Sequence, residues 1–159
     1  MNPNQHSDVF VVLNPAARVN NASAATRVID LAEYGSCDIF VVLGSTDVGL
    51  TALKVQESDS KTGDTTLGGT PSDVPGTVVG TDKQPNGATS ALPTAADGNK
   101  VWKFEVRNYG GRKRYIKPVV TVGNGTNGAF VTVLAVLHRE SLSQPDSAAD
   151  RGLACLMRA

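Results

Sequence analysis

Few residues in this 159-residue chain could do chemistry at neutral pH. Its two histidines, His6 and His138, sit near the N-terminus and at the end of an apolar run, and no supporting motif pairs either with a nucleophile. Asp59, Asp64, Asp73 and Asp82 could supply oxygen ligands, but they do not follow a calcium-loop spacing, so solvated loop carboxylates are the favoured reading. Cys37 and Cys155 are far apart and form no metal or redox motif, which favours two buried reduced thiols. Gly123-Asn124-Gly125-Thr126-Asn127-Gly128 matches a dinucleotide fingerprint only as a string, because it lies between two strand patterns where the fingerprint needs a strand followed by a helix. A hairpin turn is expected there. These readings leave no catalytic, cofactor or metal site and describe a protein that is not an enzyme.

One cluster remains. Arg107, Arg112, Lys113, Arg114 and Lys117, with Tyr109 and Tyr115 among them, concentrate positive charge in a chain whose Lys+Arg count of 15 equals its Asp+Glu count of 15. Zero net charge removes any general attraction to nucleic acid or a membrane surface, so binding has to come from this local patch. It could clamp a nucleic-acid strand by charge and stacking. It could instead pair with carboxylates on a protein partner, where arginine offers bidentate geometry. The third reading is a solvated hairpin whose long side chains cover apolar surface. Strand phase makes Ile116, Val120 and Val122 core residues, leaving Arg112, Arg114 and Lys117 as the outward set expected to meet an acidic protein surface.

The elements that must carry these residues read as β-strands. Glycine and proline are spread among short Val-rich runs, and no long Ala/Leu/Glu/Lys window appears. Val9 to Leu13, Cys37 to Gly44 and Phe130 to Leu137 are continuous apolar runs, the pattern of strands buried on both faces. For the last of these, the second face is covered by another layer or by another subunit. Thr51 to Glu57 alternates, with one side wet. Val101 to Arg107 alternates most cleanly and points Trp102, Phe104 and Val106 into the core. Ala25 to Ala32 is assigned to a strand for its β-branched residues. The stretch from Gly110 to Gly123 then forms the centre of a double hairpin.

From Ser58 to Asn99 the composition turns to Asp, Ser, Thr, Gly and Pro, and only Pro75 to Gly80 reads as a short strand. A polar segment this long is a functional surface excursion or a loop ordered by a partner. The N-terminus has no secretory signal and no run is long enough to span a membrane, which places the chain in a cytoplasm. Length fits one domain, residues 1–140, with the excursion at about 58–99 and a C-terminal arm over 141–159.

The order of Leu50 to Asp59, Asp97 to Trp102, Gly111 to Lys117, Gly123 to Thr126 and Leu137-His138-Arg139 resembles jelly-roll decoration, or cement, proteins of tailed-bacteriophage heads. The resemblance covers about residues 8 to 140. It implies an antiparallel β-sandwich of jelly-roll type with about eight strands, forming a homotrimer on the capsid surface of the virion, assembled in the host cytoplasm. Such a protein binds the major capsid protein and bridges its neighbouring subunits, and the cluster from Arg107 to Lys117 is its candidate contact. Alternatives of other classes are a virion adhesion or carbohydrate-binding module and a head-tail connector or tail component.

Overall fold

A computed structural model describes residues 7–108 and 111–139; Tyr109, His6, Cys155 and the expected arm at 141–159 lie outside the described residues. In chain order the strands are β1 (Ser7–Leu13), β2 (Ala22–Ser23), β3 (Ile29–Asp30), β4 (Ser36–Thr46), β5 (Leu50–Ser58) and β6 (Lys61–Gly63). They continue as β7 (Thr66–Leu67), β8 (Ser72–Asp73), β9 (Lys100–Arg107), β10 (Tyr115–Val122) and β11 (Ala129–His138). Alternating side chains bury one face of each long strand and leave the other outside, as in the half-and-half pattern of β10 and β11.

Two antiparallel sheets result. The first has the order β1-β11-β4-β9 and the second the order β2-β10-β5-β8, with β3 also on β10; β6 and β7 form a separate small hairpin. Ile39, Val41, Leu43, Val106, Val131 and Val133 of the first sheet meet Leu53, Val55, Ile116, Val120 and Val122 of the second in one buried cluster. The chain is thus an antiparallel β-sandwich, as the sequence leads one to expect.

Several local expectations are corrected. Of Ala25 to Ala32 only Ile29–Asp30 is strand. The reason lies on β10, where Pro118 has no amide to give and its carbonyl instead accepts the buried Thr26 hydroxyl, interrupting the ladder between β2 and β3. Pro75 to Gly80 is not a strand; the strands of the excursion are β6, β7 and β8, and its Val74 and Val79 amides donate to Val55 and Leu53 carbonyls at 2.9 and 3.0 Å. The double hairpin is also absent, because β9 and β11 belong to one sheet and β10 to the other, so both flanking loops cross between layers.

Candidate functional site

The basic cluster is largely matched within the chain. Arg112 reaches down from its loop so that Nη1 donates to Glu57 Oε2 at 3.1 Å, and the Lys113 amide donates to the same oxygen at 3.2 Å. Glu57 points inward from β5 and is buried, so the guanidinium supplies the charge that a buried carboxylate requires. Arg114 forms a two-pronged pair with Asp30, through Nε to Oδ1 at 2.9 Å and Nη2 to Oδ2 at 2.8 Å. That guanidinium holds the Asp30 carboxyl below its ordinary pKa. Lys117 donates from Nζ to the Thr65 carbonyl at 2.6 Å, and burial lowers the pKa of its ammonium.

Tyr115 lies beneath Arg114, whose guanidinium carbon is 5.0 Å from the ring centre, with Lys61 Nζ at 6.0 Å on the same ring. Arg107 is exposed, and its carbonyl accepts Arg112 Nε at 3.4 Å. The structure therefore brings Arg107, Arg112, Lys113, Arg114, Tyr115 and Lys117 to one end of β10, where Arg112 joins Glu57 of the second sheet to the Arg107 carbonyl of the first, while Arg114 and Lys117 bond Asp30 and the Thr65 carbonyl beside β10. Arg112 and Arg114 spend their charge on this chain's own Glu57 and Asp30.

A different surface is unpartnered. Val9, Val11, Val101 and Phe130 are the exposed large hydrophobic residues among those described, at 72%, 39%, 58% and 38% exposure. All four lie on the outer face of the β1-β11-β4-β9 sheet. Register places Val11 beside Leu134 and Leu134 beside Phe40, then Thr132 beside Val42 and Val42 beside Val101. The runs that read as buried on both faces are covered on one face only, which corrects that expectation. Cations flank the apolar band: Arg18 stacks 4.6 Å above the Phe130 ring and Lys103 lies 5.7 Å from that of Phe40. Lys103 also meets Glu105 at 2.8 Å and Asp38 at 3.2 Å, contacts that raise its pKa.

The second sheet's outer face is polar by contrast. Lys54 and Gln56 both reach Asp73, at 2.8 and 3.0 Å, and Ser23 bonds Thr121 at 2.7 Å. The alternation of Thr51 to Glu57 announces this wet side.

A cleft of about 400 Å³ runs along β9 between the two sheet edges, with Val101 to Phe104 on one side and the 76–91 segment on the other. Trp102, expected in the core, stands half-buried at its rim. A second cleft, of about 440 Å³, lies on the opposite side of the sandwich among Asp8, Arg27, Asp30, Tyr34 and Lys61.

The remaining candidates take structural places. Among the described residues no group of three or more His, Cys, Asp or Glu could hold a metal ion. Cys37 is buried, which pushes its thiol up to about 12. Within the glycine-rich loop, Asp47 accepts the Asn127 and Gly128 amides at 2.7 and 2.8 Å, which lowers its pKa. Asn20 bonds both the amide and the carbonyl of Gly125 at 2.9 Å.

No protein-family model matches the chain, and no significant match to a curated protein or a solved structure was found.

Proposed function

We propose that the protein is a non-enzymatic virion component that decorates a phage capsid and stabilises it by bridging major capsid subunits. The observation that carries this reading is the one-sided apolar sheet. With strands about 4.8 Å apart, the band from Phe130 to Val136 across four strands presents on the order of 400 Å². Within that outline Val9, Val11, Val101 and Phe130 are exposed beside Thr132 and the Lys103–Asp38–Glu105 group, and clustered exposed apolar side chains of this kind commonly mark interaction sites. The second sheet's outer face is polar, so the exposed apolar side chains lie on one side of the sandwich, which suits attachment by that side.

The strand order supports the jelly-roll form of this reading. With β2 and β3 counted as one interrupted strand and the β6-β7 hairpin set aside, eight strands divide into two interleaved layers of four. The adhesion-module alternative has less support, since Tyr34 and Tyr115 are covered by Arg139 and Arg114 at 5.5 and 5.0 Å.

The test is to add purified protein to expanded, undecorated capsids and measure co-sedimentation and heat resistance. Saturable binding with a raised disruption temperature is expected. Capsids that neither bind the protein nor gain heat resistance would overturn the reading.

A further inference from the structure

We propose that the cleft along the open edge of β9 binds an extended peptide of a partner chain as an added strand. This site adjoins the apolar face at Val101 but stands on different observations. In the first sheet β9 pairs with β4 alone, so its other edge is the outer edge of the sheet. The Asn108 amide donates to the Gly35 carbonyl at 2.7 Å, and the Arg107 carbonyl turns the other way to accept Arg112 Nε at 3.4 Å. Antiparallel ladders alternate. Even-numbered residues of β9 therefore bond β4, and the amides and carbonyls of Val101, Lys103 and Glu105 point to the open edge.

The facing wall is preformed. Asp82 accepts the Val78 amide at 2.9 Å, the Ser90 amide donates to the Asp82 carbonyl at 3.0 Å, and Lys83 bridges to Thr89. An incoming strand would thus find a row of backbone partners on one side without waiting for a loop to order. Its alternate side chains would fall on half-buried Trp102, Val78 and Val79, which line the cleft. At the mouth stands Lys83, exposed and without an ion pair among the described residues. Charge complementarity then selects a peptide with apolar residues on one face and a carboxylate on the other. A glycan would use the Trp102 ring but not the alternating backbone groups, so the peptide is the better fit.

Trp102 is the chain's only tryptophan, so its fluorescence reports the cleft directly. The probe is a capped peptide, Thr-Val-Glu-Val-Thr-Val-Glu-Val-Thr, titrated into the whole 159-residue chain, with backbone amides followed by NMR. Saturable change in Trp102 emission and shifts at Val101, Lys103 and Glu105 are expected. Lys103→Pro removes one outward amide at an edge position where proline is tolerated. It should weaken binding about tenfold, the equivalent of one hydrogen bond. Lys103→Ala removes the side chain but keeps that amide, so it should bind more tightly than Lys103→Pro. A lysine-for-glutamate peptide should bind more weakly.

Three results would overturn the proposal: no response at about 1 mM peptide, equal binding by the proline variant, or a Trp102 response to soluble oligosaccharides instead of peptide. Because the readouts need no capsid, failure here leaves the capsid-binding test intact, and the reverse also holds.

Discussion

Arg112 and Arg114 look alike in the sequence, but their surroundings give them different weight. Arg112 is mostly covered and neutralises a buried Glu57, whereas Arg114 and Asp30 pair in the open. Removing one partner of a buried pair leaves the other charge uncompensated, while an exposed pair is screened by solvent. Arg112→Ala should therefore cost about 3 kcal/mol of folding stability, and Arg114→Ala about 0.5 kcal/mol. Urea midpoints of the two variants decide this, and equal losses would contradict it. The sequence shows a run of positive charge but not its partners, because Glu57 and Asp30 lie far away along the chain. Nothing in local spacing announces that β5 and β3 will flank β10.

At the scale of elements, the long strands are legible because alternation and apolar runs are local properties. Val101 to Arg107 reads correctly in phase, with Phe104 and Val106 buried. Layer membership is not local. The alternation of β9, β10 and β11 says which side chains are covered but not which sheet each strand joins, and so crossings between layers read as hairpins. Trp102 shows the same limit, since phase points it inward while its place on an edge strand leaves it at a rim. Pro118 is a signal that could have been used: a proline in a central strand implies a gap in the neighbouring one. The crossing from β10 to β11 is set by close backbone approach at Gly128, whose φ is 76° and where a Cβ would collide with the Val19 carbonyl. Gly128→Ala should destabilise the fold by about 2 kcal/mol, measured as a lowered urea midpoint. The same change at Gly63, where a Cβ meets nothing within 4 Å, should cost little; comparable losses at the two positions would show that the close approach is not what matters.

The whole molecule is asymmetric in a way that no single strand reveals. Both outer faces are built from alternating strands, yet one is a network of Lys54, Asp73, Ser23 and Thr121 and the other exposes Val9, Val11, Val101 and Phe130 around a single Lys103–Asp38–Glu105 group. This asymmetry shifts the expected attachment surface from the basic cluster to the β1-β11-β4-β9 sheet and leads to opposed outcomes. Val9→Asp with Val101→Asp places charges where a partner would exclude water, while the free protein keeps both sites exposed. Folding stability should change by no more than about 0.5 kcal/mol per site, and capsid binding should fall at least about tenfold, about 1.4 kcal/mol. Arg114→Glu reverses a charge already committed to Asp30 and should leave capsid binding within about twofold. Co-sedimentation of the three proteins with capsids at matched concentration measures both effects. If the aspartate variant bound normally while the glutamate variant did not, the contact would belong to the basic cluster, and the apolar face would need a different occupant.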